Sequence, residues 1–249
     1  MRRNTAKHKL AAGQPISVIA PGHTSSSLVE YVAQLGFDAV FIDGEHGSGS
    51  WEDTENQIRA AELGGATPIC RVQGNDASVI TRTLDRGAGG VQIPHINTRA
   101  EAELAVRNAK YAPLGERGWY GGRAGYGIAG TDYAAHANAE TLLVIMLEET
   151  EALRNLDDIV RVDHIDVFFI APGDLAQSMG YAGQMEHPKV MEAIDQGIDT
   201  IRAAGKAAGV LTTPATVNRY LERGALYLFV GLGNFLQPGV QEYLGRFKR

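Results

Sequence analysis

Four stretches of the chain share one joint: QLGFDAVFI (34–42), ELGGATPIC (62–70), DRGAGGVQI (85–93) and ERGALYLFV (222–230). In each, an amphipathic stretch runs into a glycine, and an apolar run follows. Glycine takes the left-handed backbone that closes a helix at low cost. Gly36, Gly64, Gly87 and Gly224 are therefore read as helix C-caps, and the runs after them as strands. Working outward, apolar runs at 16–20, 39–42, 68–72, 90–93, 142–147, 167–170, 207–211 and 226–230 give eight predicted strands. Segments such as 50–63, 77–86 and 98–110 have helical spacing. Strands apolar without alternation are buried on both faces, which points to a parallel sheet covered by helices. Eight such units in 249 residues predict an α/β fold closed as a TIM (β/α)8 barrel, with 1–249 as one domain.

Composition bounds the function. Hydrophobic residues are 44% and charged residues 21%, as in a globular chain. A net charge of −6 argues against a nucleic-acid partner. The single cysteine, Cys70, excludes a disulfide within the chain and fits a reducing cytoplasm. The basic start MRRNTAKHKLAAG leads into no apolar core of a signal peptide. No apolar run reaches the roughly 18 residues that span a bilayer. The expectation is a cytoplasmic protein with no membrane contact.

In a barrel, polar residues at the C-terminal ends of strands face the active site. Strand two ends in FIDGEHGSGS, with Asp43, Glu45 and His46. Strand three ends with Arg71, strand five with Glu148, and strand six runs into Asp174. Two carboxylates from adjacent strands repel unless a cation lies between them. A hard divalent ion with oxygen ligands resolves this, so Glu148 and Asp174 are candidate metal ligands. Each residue also has a plainer reading. Glu148 could be a first-turn acid and Asp174 an N-cap. His46 could be a loop histidine paired with Asp43. Arg71 could form a structural salt bridge, and Asp85 is by itself a surface acid. Cys70 is read as core packing. His95, in VQIPHIN, ends strand four with no role assigned. The glycine-rich stretch 112–130 is read as a functional or mobile loop, with Trp119, Tyr126 and Arg123 as candidates for the pocket mouth.

Taken together, these segments resemble the HpcH/HpaI family of class II pyruvate aldolases. The likeness runs from about Gly36 to Gly231. It is carried by Asp43-Gly44-Glu45-His46, by Arg71, by Leu84-Asp85-Arg86-Gly87, by Glu148 in MLEETEALRNL, and by Ala171-Pro172-Gly173-Asp174-Leu175 followed by SMGYAG and HP. The resemblance implies a TIM barrel whose C-terminal helix is swapped between subunits of a trimer or hexamer. It implies a divalent metal (Mg²⁺, Mn²⁺ or Co²⁺) on Glu148 and Asp174, with His46, Arg71, Asp43 and Asp85 catalytic. Asp85 would reach a neighbouring subunit's histidine. Arg71, Ala171, Pro172, Gly173, Leu211 and Met146 would line the substrate pocket. Met146 stands two residues before Glu148, where the family often has glutamine, and Asn234 ends VGLGN, which replaces a more usual valine–glycine–x–aspartate; both bear on the choice of aldehyde.

The function so implied is reversible cleavage of a 4-hydroxy-2-oxo acid to pyruvate, or an analogue such as hydroxypyruvate, plus an aldehyde. In it, His46 oriented by Asp43 or Asp85 relays the proton. No lysine ends a predicted strand, which disfavours a Schiff base. The rival readings are oxaloacetate decarboxylation or CoA-thioester lysis on the same site, or a non-catalytic barrel that binds 2-oxo acids.

Overall fold

The computed structural model describes residues 3–247, so Met1 and Arg2 of the basic start, like Lys248 and Arg249, lie outside the described residues. Eight strands form: β1 (Ile16–Ala20), β2 (Ala39–Asp43), β3 (Thr67–Arg71), β4 (Gly90–Ile93), β5 (Leu142–Leu147), β6 (Val167–Ile170), β7 (Ala208–Leu211) and β8 (Tyr227–Gly231). They pair in parallel in sequence order, and β8 closes on β1. The helices around them are α1 (Thr5–Ala11), α2 (Ser26–Gln34), α3 (Trp51–Leu63), α4 (Ala77–Asp85), α5 (Arg99–Ala109), α6 (Tyr133–Glu140), α7 (Thr150–Arg154), α8 (Leu156–Ile159), α9 (Pro172–Ser178), α10 (Pro188–Ala203), α11 (Val217–Glu222) and α12 (Gly233–Gly245). This is the expected TIM barrel.

The strands divide their side chains by the period of two. Val18, Phe41, Ile69, Val144, Met146, Phe169 and Tyr227 pack together inside the barrel. Ile42, Cys70, Val91, Ile145, Phe168 and Val210 belong to the larger core between sheet and helices. Each large side chain buried there contributes roughly 1.5–3 kcal/mol. Cys70 thus faces the helices and not the lumen. Burial pushes its thiol up to about 12, so it is inert packing. The inward phase carried to the strand ends puts Asp43, Arg71 and Ala171 at one mouth.

Three of the four glycine joints behave as read: Gly36, Gly87 and Gly224 have φ of 100°, 96° and 82°. The fourth needs correction. In ELGGATPIC the left-handed residue is Gly65, with φ 90°, while Gly64 has φ −73°. Gly64 is required for another reason: a Cβ there would lie 2.4 Å from the Cβ of Ala33, where α3 crosses α2.

The other mouth is closed by α1. Ala6 and Leu10 insert into the inner core. Asn4 caps the helix and donates to the carbonyls of Gly89 and Glu140, both at 2.8 Å. Lys7 binds the Thr141 carbonyl and Asp166 at the starts of β5 and β6. A ligand must therefore enter at the strands' C-terminal end. No helix among the described residues is long and apolar enough to cross a membrane.

Candidate active site

At the open mouth, Asp43 and Arg71 are register partners on β2 and β3. Arg71 grips Asp43 with two bonds, Nε to Oδ1 at 2.9 Å and Nη2 to Oδ2 at 2.7 Å. Its Nη1 meets Glu45 at 2.9 Å. Gly44 lets the chain turn tightly over β3: a Cβ there would lie 2.6 Å from the Arg71 carbonyl. Burial works against both charges of the Asp43–Arg71 pair. Their mutual bonds outweigh it, lowering the Asp43 pKa and raising that of Arg71. The guanidinium is a fixed positive charge aimed at the lumen, planar and held at both edges.

Glu148 follows β5 and is almost wholly buried, at 2% exposure. It precedes the N-cap of α7, which is Glu149, so it is not a first-turn acid. Burial raises its pKa first; the charges of Asp174 and Glu45 add to the rise, against a backbone bond from His95. Asp174 lies in the first turn of α9, whose N-cap is Ala171 and whose first residue is Pro172. Asp174 is exposed and caps nothing. A buried carboxylate with a raised pKa, facing a second exposed one, is an arrangement that a divalent cation relieves. Both offer only oxygen, which suits Mg²⁺ or Mn²⁺. Among the described residues, no three His, Cys, Asp or Glu side chains are grouped to hold a metal. Two oxygen donors alone would leave the rest of such an ion's shell to water or substrate.

Around this pair, Met146 is buried inside the barrel and Ala171 at 7% exposure closes the end of β6. Gly173 is exposed, and Leu211 ends β7 half-buried. Two expectations are corrected: that Asp43 orients the His46 ring, and that the 112–130 loop lies at the pocket mouth. The ring of His46 is 70% exposed, and its nearest acid is Glu45 at 3.8 Å. Asp43 accepts the backbone N–H of His46 and does not orient its ring. Asp85 ends α4 at the far side of the barrel, held by Arg117 at 2.7 Å. It does not meet His46 of its own chain, and its expected partner was a neighbouring subunit's histidine. The loop at 112–130 likewise docks away from the mouth: Arg123 binds Glu62 and the Arg86 carbonyl, and Trp119 packs on Tyr111 and Tyr133.

His95 is the residue that sequence reasoning left without a role. It has a left-handed backbone, φ 57°, uncommon outside glycine. That turn aims its N–H at Glu148 Oε1, 2.8 Å away. Its ring lies 3.1 Å from Glu149 and 3.5 Å from Glu45, and their charges with that of Glu148 overcome burial to raise its pKa. Its place at the end of β4 was the available signal; its φ was not readable.

A family model described as HpcH/HpaI aldolase/citrate lyase matches residues 20–236. The chain belongs to the HpcH/HpaI aldolase/citrate lyase family. Aldolases and citrate lyases both cleave carbon–carbon bonds, so the chain is a carbon–carbon lyase. It is 38% identical over 248 residues to a 4-hydroxy-2-oxo-heptane-1,7-dioate aldolase of Klebsiella pneumoniae, covering 98% of this chain and 94% of that one. It is 35% identical to a hydroxypyruvate/pyruvate aldolase of Pseudomonas aeruginosa, covering 98% and 93%. A crystal structure of a family member from Burkholderia cenocepacia J2315 superposes with a TM-score of 0.92 at 28% identity, covering 99% of this lyase and all of that chain.

Proposed function

We propose that this lyase is a metal-dependent aldolase. It cleaves a 4-hydroxy-2-oxo acid reversibly into pyruvate, or hydroxypyruvate, and an aldehyde. The observation that carries the reading is the junction of the clamped Arg71 with the buried Glu148. A fixed cation and a buried carboxylate whose pKa burial raises meet at the mouth that α1 leaves open.

Glu148 and Asp174 would hold the divalent ion, and when bound such an ion supplies Lewis-acid polarisation of the 2-oxo group. Ala171, Pro172, Gly173, Leu211 and Met146 shape the floor around the 2-oxo acid. Arg71 donates hydrogen bonds to the oxygen on which enolate charge develops as C3–C4 breaks. Asp43 keeps the guanidinium in register and desolvated. His46 takes the proton of the 4-hydroxyl and one proton returns to C3, so the overall reaction is proton-neutral. Asp85 serves this histidine only from another subunit. A trimer or hexamer with α12 swapped would provide that, and α12 supports it by exposing Phe235, Leu236, Val240 and Tyr243. The single buried thiol fits a cytoplasmic setting.

The test is retro-aldol cleavage coupled to lactate dehydrogenase, with and without EDTA. Activity is expected to vanish in chelator and return with Mg²⁺, Mn²⁺ or Co²⁺. Full activity in EDTA would sink the metal assignment.

A further inference from the structure

His95 has no part in the reaction as set out above, and its backbone is the least expected feature of the mouth. It follows the end of β4 by two residues and holds φ at 57°. That conformation is unfavourable for a residue with a Cβ, least so for asparagine and aspartate. Among the described residues one other non-glycine, His164, shares it, in an exposed turn before β6. Strain of this kind persists only where the surroundings over-determine it, and it gathers at functional sites.

The chain beyond His95 does over-determine it. Ile96 is buried, and its N–H meets the Met146 carbonyl at 3.2 Å. Asn97 Nδ2 donates to Glu149 Oε2 at 2.8 Å, and the Asn97 carbonyl accepts from Asn155 Nδ2 at 2.8 Å. The loop is thereby laced to β5 and to the residues that follow it. So held, the left-handed turn sends the His95 N–H to Glu148 Oε1, 2.8 Å away. The imidazole reaches the same oxygen at 3.3 Å. Glu148 Oε2 receives no hydrogen bond from any described residue. A buried carboxylate fixed by one oxygen keeps the other for a further partner.

We propose that His95 is a positioning residue of the metal site and acts through its main chain: the left-handed turn fixes Glu148 by Oε1 and leaves Oε2 free for the divalent ion. The inference rests on the metal-dependent reading. A partner that orients a metal ligand governs the affinity for the ion, since a misplaced ligand must be reordered each time the ion binds. Because the acting group is the backbone N–H, the side chain at 95 matters chiefly through its tolerance of a φ of 57°.

The test counts bound Mn²⁺, with no substrate present. The full chain is freed of metal with EDTA, dialysed and titrated with Mn²⁺, and the free ion is measured by electron paramagnetic resonance. His95→Asn is compared with His95→Val. Both lose the ring and are similar in size, but asparagine adopts the left-handed turn and a β-branched residue resists it. His95→Asn is expected to stay within about threefold of the wild-type Kd, and His95→Val to bind about 10–100-fold more weakly. His95→Ala is expected to fall between them and takes the place of the valine variant if that does not fold. Equal affinity of the asparagine and valine (or alanine) variants, whether both match the wild type or both fall, would overturn the assignment. Glu148→Gln separates the two layers. If the wild type binds Mn²⁺, Glu148→Gln does not, and the valine and asparagine variants are equal, the role of His95 alone is refuted. If the wild type binds no Mn²⁺, or Glu148→Gln binds it as well as the wild type, the metal reading falls and this inference with it.

Discussion

At the closed end of the barrel, Lys7, Lys110 and His8 meet Asp166 and Glu140; at the open end, Arg71 and His95 meet Asp43, Glu45, Glu148 and Glu149. Both ends bury charge, and each sets like charges together. The closed end crowds the buried Lys110 against Lys7 and resolves the repulsion internally. Burial and the charge of Lys7 depress the pKa of Lys110 to about 7, so it need not carry a full charge. Its Nζ is held by the carbonyls of Asn138 and Thr141. The open end has an excess of acids, and Asp174 adds another. Glu148 is pushed towards its neutral form, yet the mouth is open to solvent and ligand. An imbalance that the protein settles for itself marks structure, and one left open to a ligand marks function.

The difference can be broken by mutating one member of each end. Arg71→Ala is the larger change. It removes the guanidinium at the mouth and with it both side-chain bonds to Asp43 and the ion pair to Glu45. A fall in kcat of about 10²–10³ is expected, the usual effect of losing a donor to a developing oxyanion. KM for the 2-oxo acid should change less. Steady-state kinetics decide: unchanged kcat with a raised KM would make Arg71 an anchor for the carboxylate only. At the closed end, Asn4→Ala removes the cap of α1, two bonds to the barrel carbonyls and the acceptor of Thr67. The cost is about 2–4 kcal/mol, which lowers the melting temperature by roughly 5–15 °C. Turnover of the folded enzyme should be unaltered. A loss of turnover comparable to that of Arg71→Ala would show that the two ends are not independent.

The sequence revealed the two ends unequally. Strands such as LLVIML were readable because burial on both faces leaves no polar residue to blur the run. Asp43 and Arg71 were readable because charged residues ending such runs need an explanation. The ELGG joint was misread at the level of one residue, since either glycine can adopt the left-handed turn; only the crossing of α3 on Ala33 shows which does. The role of His95 depends on a φ of 57°, which no residue pattern announces. For His46, sequence cannot tell whether Asp43 bonds the ring or the backbone, and here it bonds the backbone. The plug formed by α1 escaped notice because it is only seven residues long. Its anchor points, the carbonyls of Gly89, Glu140 and Thr141, lie far away in sequence.

The smallest effect sharpens the account of the closed end. An unfolded lysine titrates near 10.4, whereas Lys110 in the fold titrates at about 7. As pH falls from about 10 to about 7, the unfolded chain takes up a proton that the folded chain refuses. Stability attributable to this group is therefore complete above the unfolded value. It is lost progressively across that window, and no more is lost once the folded group is protonated too. Lys110→Met removes the titration while roughly keeping the volume. Denaturation midpoints measured from pH 7 to pH 9.5 should decline less steeply towards pH 7 in the variant than in the wild type. The absolute midpoint will also shift, because the Thr141 and Asn138 carbonyls lose a donor, so the slope is the quantity that decides. Parallel slopes would mean that Lys110 keeps its proton in the fold, with Asp166 outweighing Lys7. The closed end would then carry Lys7 and Lys110 as two real charges, and the contrast with the mouth would rest on solvent access alone.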